Sequence, residues 1–286
     1  MIEMAPAGDG RYSMGFAGDT FNTAWYASRM AFLGLEIAYL SAVGDDALSD
    51  QMAAFMRESG ITPELAVVED ATVGLYLISL DRGERSFSYW RSSSAARRLA
   101  DDLGSLEVAV EGDVAYFSGI TVAILPDSGR ERLLSALDDV RARGVRVVFD
   151  PNIRPRLWRS ADEMRRWISA ASRYADVALP SFADEAEYFD DADTTATADR
   201  YLDAGAKVVA VKDGPNDVLV RDSDAAPVFV ASERVERVVD TTAAGDSFNA
   251  GFLTAWMSGE SPTDAARAGC AVAAKVVASP GALVEI

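Results

Sequence analysis

With 286 residues, 49% of them hydrophobic, the chain is long enough to hold one large α/β domain or two smaller ones around a substantial core. Its 45 acidic against 27 basic residues give a formal charge of −18, which argues against a nucleic-acid groove or an anionic membrane surface as partner; an anionic substrate must then be drawn in by a local cluster of cations. Histidine is absent, so any general base is a carboxylate, lysine, tyrosine or cysteine, and the single cysteine, Cys270, cannot form an internal disulfide and reads as a small core residue.

From the N-terminus, no basic segment followed by an apolar one opens the chain, and no apolar run approaches the ~18 residues that span a bilayer; a cytoplasmic protein without a membrane partner is expected. Short β-branched runs then alternate with helical patterns, as βαβ units around a mainly parallel sheet do. Gly18 and Asp19 precede a helix at about Thr20 to Leu33, with Asp19 as its expected N-cap and Asn22 in its first turn. A strand at Ile37 to Ala42 and a helix at Leu48 to Ser59 follow. The rhythm breaks at Leu65 to Trp90, where two strand-like runs, Val73 to Leu80 and Arg85 to Trp90, flank Asp81-Arg82-Gly83-Glu84 and predict a hairpin inserted in the α/β core. By alternation Tyr89 and Arg91 share a face, and Tyr76 on the facing strand completes a polar wall, although packing alone also explains the two tyrosines.

Beyond the hairpin, strands are predicted at Val114 to Ser118, Val145 to Asp150, Val177 to Leu179 and Val208 to Lys212. Helices are predicted between them at Ser128 to Arg143, Ala161 to Tyr174 and Thr195 to Ala204, and two more close the chain at Asp246 to Met257 and Thr263 to Ala278. Gly34, Gly60, Gly144 and Gly205 stand where helix C-caps are expected. Arg154, in Asp150-Pro151-Asn152-Ile153-Arg154-Pro155, directly follows a strand at the carboxyl edge where open α/β sheets bind ligands, and its planar fork suits a carboxylate. Lys212, in Val211-Lys212-Asp213-Gly214, closes a strand and on the residues alone reads as an edge-strand lysine.

The densest signal is Asp240-Thr241-Thr242-Ala243-Ala244-Gly245-Asp246-Ser247-Phe248-Asn249-Ala250-Gly251, where small residues lead into an aspartate and an apolar-periodic helix. Backbone N–H groups of Ala243, Ala244 and Gly245 at a helix N-terminus make an anion hole, because the unpaired donors and the helix dipole both favour negative charge there. Asp246 stands beside that hole, where a carboxylate can accept the proton of a hydroxyl that attacks a phosphate.

This string resembles the second signature of ribokinase-like carbohydrate kinases, and Gly18-Asp19-Thr20-Phe21-Asn22-Thr23-Ala24 resembles their N-terminal sugar-binding signature. Gly74-Leu75-Tyr76, the run from Gly83 to Arg91, and Asp150-Pro151-Asn152-Ile153-Arg154-Pro155-Arg156-Leu157-Trp158 resemble more narrowly the branch that phosphorylates 2-keto-3-deoxygluconate. The likeness runs over nearly the whole chain. It implies a three-layer α/β/α ribokinase-like fold with a mainly parallel sheet, a single domain over 1–286, and a small β-lid at about 61–92. It also implies ATP and Mg²⁺ as cofactors, transfer to the primary hydroxyl of the sugar acid, and a homo-oligomer; a neutral-sugar kinase or a non-catalytic sugar sensor is the alternative.

Residue by residue, the resemblance makes Asp246 the general base at the anion hole of Ala243, Ala244 and Gly245. Gly18, Asp19 and Asn22 face the sugar, Tyr76, Tyr89 and Arg91 wall its pocket, and Arg154 meets the C1 carboxylate. Asn152, Ser181, Lys212, Gly214 and Gly245 are the nucleotide-side candidates, with the adenine placed near Ala273 to Ala282. Where that family has Asn-x-x-Glu near the metal, this chain has Ser181-Phe182-Ala183-Asp184-Glu185, which leaves Asp184 and Glu185 both open; Glu185, acting through water, is the candidate ligand. Relatives of this kind also open with an apolar strand that would end where Met1 stands, so a form extended upstream is expected to be the more stable one.

Overall fold

The computed structural model describes residues 1–81, 84–103, 106, 109–223 and 225–286. Its largest sheet has six strands in the order β12-β11-β10-β9-β8-β7: β7 (Val114–Ser118), β8 (Arg146–Asp150), β9 (Val177–Ala178), β10 (Val208–Val211), β11 (Val218–Asp222) and β12 (Val228–Val230). The first four run parallel, and β11 runs antiparallel to both β10 and β12, so the expectation of a mainly parallel sheet holds. Alternate residues of each strand feed two cores. Val147, Phe149, Ala178, Val209 and Val211 pack with Leu133, Leu137, Met164, Ile168 and Tyr201 of the helices on one face. Val148, Val177, Leu179, Val208 and Ala210 pack with Phe248, Phe252, Ala266 and Cys270 on the other. A strand buried on both faces needs a continuous apolar run rather than alternation, which is how these segments read.

The helices on the first face are α4 (Asp127–Ala142), α5 (Ala161–Ser172) and α7 (Thr194–Ala204); α8 (Ala244–Met257) and α9 (Pro262–Val277) cover the second. Earlier in the chain are α1 (Asp19–Arg29) and α2 (Ala47–Glu58), while the short α3 (Gly119–Ile124) and α6 (Phe182–Phe189) follow strand ends of the large sheet. Helices α8 and α9 cross closely because both lack a side chain at the contact: a Cβ on Gly251 would stand 2.9 Å from the Ala268 carbonyl oxygen. That crossing fixes where the first turn of α8 points.

A second sheet has the order β2-β1-β5-β6, built from β1 (Ile2–Gly8), β2 (Arg11–Phe16), β5 (Leu75–Asp81) and β6 (Glu84–Trp90). The predicted hairpin is the β5–β6 pair, with Tyr76 opposite Tyr89; residues 82 and 83 of its turn lie outside the described residues. The bounds expected for a lid, about 61–92, need correction. Strand β4 (Ile61–Val68) returns parallel to β3 (Ile37–Gly44) after α2, in a two-stranded sheet of their own. The second sheet takes its other two strands from residues 2–16, where Ile2 pairs with both Phe16 and Leu75. Sequence separation hides such pairing, because a strand about 70 residues away leaves no local trace.

Candidate active site

The carboxyl ends of β7, β8 and β10, the first turns of α1 and α8, and one face of the second sheet converge on two connected cavities. The smaller, about 170 Å³, is lined by Ser181, Asp184, Lys212, Ala244 and Gly245; the larger, about 490 Å³, by Gly18, Asp19, Asn22, Tyr76, Tyr89 and Arg91. Asn152, Arg154, Ala243 and Asp246 line both, so Asp246 stands where an occupant of one cavity meets an occupant of the other.

The anion-hole segment is wound more tightly than the apolar periodicity indicates. Helix α8 begins at Ala244 rather than Asp246, and its N-cap, Ala243, adopts the left-handed conformation at φ 60. An L-residue other than glycine rarely sits there, and such a turn points successive N–H groups to one side. Asp240 braces the turn by accepting from the Thr242 N–H at 3.0 Å and the Gly281 N–H at 2.7 Å.

Asp246 accepts a 2.7 Å hydrogen bond from Asn22 Nδ2, and Asn22 Oδ1 in turn accepts from the Gly18 N–H at 3.1 Å. Burial pushes the Asp246 carboxyl up to about 7, with the nearby charges of Asp19 and Asp150 adding to the rise and the Asn22 hydrogen bond and the Lys212 ammonium opposing it. A carboxyl with its pKa near neutrality is about half ionised at neutral pH.

Asp19 does not cap α1. Gly18 is the N-cap, at φ 152, and Asp19 is the first helical residue. Its carboxylate instead accepts from Ser118 Oγ at 2.5 Å and from Asn152 Nδ2 at 3.4 Å, and burial raises its pKa despite the Ser118 bond. Ser118, at the end of β7, is a partner that no motif or spacing in the chain singles out.

On the second sheet, Tyr76 and Tyr89 are cross-strand neighbours with ring centroids 6.0 Å apart, and the Arg91 guanidinium lies 4.2 Å over the Tyr89 ring. The three residues thus lie together along the larger cavity, and Tyr76 OH also donates to the Glu3 carboxylate of β1. Arg154 donates to the carbonyl oxygen of Ile153 at 2.8 Å and approaches Asp184 at 3.8 Å, leaving its guanidinium about half exposed at the junction of the cavities.

Two nucleotide- and metal-side expectations need correction. Glu185 does not face the cavity: its carboxylate is fully buried, accepting from Arg200 Nη2 at 2.6 Å and Tyr201 OH at 2.9 Å. The helical turn that sends Glu185 inward sends Asp184 to the cavity wall, where burial raises its pKa and Arg154 opposes the rise. Gly214 sits in the turn after β10, at φ 56, and is absent from the lining of both cavities. Lys212 does reach the site: its ammonium donates to Asp150 Oδ2 at 3.1 Å and Asn249 Oδ1 at 3.0 Å, under the glycine of the anion hole. Among the described residues no cluster of three or more carboxylate or thiol groups forms a cage for a metal ion.

The profile of the pfkB family carbohydrate kinases matches residues 6–285. Over its whole length the chain is 38% identical to a 2-dehydro-3-deoxygluconokinase of Dickeya dadantii, covering 94% of that protein. It is 37% identical to a protein of the same name from Escherichia coli K12, over 99% of the chain and 94% of the relative. Among solved structures, a PfkB protein from Polaromonas sp. JS666 superposes with a TM-score of 0.85 at 24% identity, over 97% of this chain and 92% of that one. A fructokinase from Vibrio cholerae O395, bound to fructose, ADP and calcium, gives a TM-score of 0.85 at 22% identity, over 98% and 91% of the two chains.

Proposed function

The chain belongs to the pfkB family of carbohydrate kinases, and from that membership we propose that it transfers the γ-phosphate of ATP to the primary hydroxyl of 2-keto-3-deoxygluconate, giving the 6-phosphate. The observation that carries the reading is the position of Asp246 at the junction of two cavities, one rimmed by the anion hole and Lys212, the other by Tyr89, Arg91 and Arg154. The triphosphate takes the first and the sugar acid the second. Asp246 accepts the proton of the attacking hydroxyl, and its oxygen attacks phosphorus in line while the bond to the ADP oxygen breaks. The N–H groups at Ala243 to Gly245, with the ammonium of Lys212, stabilise the charge carried by the transferring group. Asp19 and Asn22 accept and donate hydrogen bonds to the sugar hydroxyls, and the second sheet acts as a lid that excludes water.

Asp184, on the wall of the phosphate cavity, would hold Mg²⁺ through water, in keeping with an ion that retains much of its hydration shell and with the absence of a protein cage among the described residues. When bound, the ion supplies charge neutralisation between the phosphates. No helix among the described residues is long and apolar enough to cross a membrane, and a cytoplasmic location is part of this reading. So is a homo-oligomer: Tyr12, Met14 and Trp90 lie exposed on the face of the second sheet opposite Tyr76 and Tyr89, where a second copy would cover them.

The test is a panel of sugars and sugar acids assayed with MgATP, in wild type and in Arg154→Ala. Loss of a hydrogen bond to a charged group costs about 1.5–3 kcal/mol, so kcat/KM for the sugar acid is expected to fall roughly ten- to a hundredfold. A neutral sugar should not feel the change. Preference for fructose over the sugar acid, with both equally affected by Arg154→Ala, would point to the neutral-sugar alternative.

A further inference from the structure

Asp150 ends β8 at the floor of the site and is buried at 2% exposure, yet none of the roles assigned above belongs to it. Its two oxygens serve different partners. Oδ2 accepts from the Lys212 ammonium at 3.1 Å and from Asn249 Nδ2 at 2.6 Å. Asn249, fully buried on α8, closes a triangle by accepting from Lys212 at 3.0 Å, and its amide also donates to Tyr116 OH of β7 at 3.1 Å. This triangle sits beneath the first turn of α8: a Cβ on Gly245 would lie 3.7 Å from Lys212 Nζ. The ammonium is thereby held against the anion hole with one of its three donors left for an arriving anion.

Oδ1 turns the other way and accepts from the Asn152 N–H at 3.0 Å. Asn152 is a non-glycine residue at φ 36, a conformation that persists only where the surroundings impose it. That turn places the Asn152 side chain 3.4 Å from Asp19 and leads directly to Arg154.

Resting on the kinase reading above, we propose that Asp150 is a positioning residue that couples the two halves of the site: through Oδ2 it aims Lys212 at the triphosphate, and through Oδ1 it shapes the Asn152–Arg154 turn that receives the sugar acid. One carboxylate then sets both substrates relative to each other, which in-line transfer demands, because small misplacements of reacting groups are costly to the rate.

The charge of Asp150 has a second consequence. Asp246 is faced by Asp19 and Tyr26 from α1, Asp150 from β8, Tyr76 from β5, Tyr116 from β7 and Lys212 from the end of β10. Removing the Asp150 charge takes away one anion that holds a proton on Asp246, so the acid limb of the pH–rate profile moves to lower pH. Removing the Lys212 charge moves it to higher pH.

The experiment measures KM for MgATP, KM for the sugar acid and the pH profile in Asp150→Ala, Lys212→Met and the double variant. Asp150→Ala is expected to raise both KM values about tenfold or more, the scale of a lost charge-assisted hydrogen bond, and to move the acid limb down. Lys212→Met raises KM for MgATP alone and moves the limb up. The double variant carries no unpaired buried charge and so folds even if Asp150→Ala does not; its KM for MgATP should match that of Lys212→Met, while its KM for the sugar acid stays raised. The proposal is overturned if either KM in Asp150→Ala stays within about twofold of wild type, if the limb does not move, or if the double variant binds the sugar acid as Lys212→Met does. These outcomes leave the kinase reading untouched, since that reading stands or falls on the panel of sugars and sugar acids assayed with MgATP in the wild type.

Discussion

Asp246→Asn is expected to lower kcat by roughly 10²–10⁴, the contribution of a positioned general base, while the affinity for ATP stays nearly unchanged. The amide keeps the shape of the carboxylate and an oxygen that can accept from Asn22 Nδ2, so the loss is one of basicity and not of structure. In the wild type kcat/KM should rise with pH through about 7, because burial and the charge of Asp19 hold a proton on Asp246 below that value. The variant should lose that limb. Stability moves the opposite way to activity. A carboxyl whose folded-state pKa lies above its ordinary value favours the folded state only while protonated, so its contribution is complete below about pH 4 and is lost as pH rises through about 7. The asparagine variant should therefore melt at the same temperature as wild type, or higher, at pH 8. Near wild-type turnover in Asp246→Asn would remove this residue from the mechanism, and a lowered melting temperature at pH 8 would trace the lost activity to damage elsewhere.

Arg200→Met is expected to be the most destabilising of the charge-removing changes near the site. Arg200 on α7 holds two carboxylates, Glu185 at 2.6 Å and Asp191 at 2.7 Å, and the first is wholly buried. Leaving a buried ion without its partner costs about 3 kcal/mol or more, and uptake of a proton by Glu185 keeps the figure at the lower end. For a chain of this size that corresponds to a fall in Tm of roughly 6–12 °C. Because Glu185 adjoins Asp184, turnover should fall along with stability. Combining Arg200→Met with Glu185→Gln, which withdraws the more deeply buried of the two carboxylate charges, should recover part of the loss. A melting temperature within a degree of wild type for the single variant, followed by calorimetry, would show that solvent reaches Glu185 and that the pair contributes little.

Much of the architecture was legible because it is local. The doubly buried strands announce themselves as apolar runs such as Val208 to Val211, and helices by periodicity and by glycine after their last turn. The Asp240–Gly251 segment was legible for the same reason: the residues that open α8 and the Asp246 carboxylate are consecutive, so their proximity is guaranteed by the backbone. Tyr76, Tyr89 and Arg91 were placed on one face by alternation and by a short hairpin, both properties of neighbouring chain.

Periods of two and 3.6 residues along contiguous chain thus carry the layered α/β plan and the faces of its strands, and contiguity alone sets Gly245 and Asp246 at one helix N-terminus. Contacts between distant elements settled the rest. They joined residues 2–16 to the hairpin and took β4 away from it, turned Glu185 inward to Arg200 and left Asp184 at the cavity, and gave Asp19 to Ser118 and Asn152 instead of to the helix N-terminus. They also brought Asp150, Lys212 and Asn249 into one triangle from positions up to 99 residues apart. The reason is the same in each case. A buried polar group must find a partner, but which partner it finds depends on packing contacts between distant elements, and those carry no periodic signature in the chain.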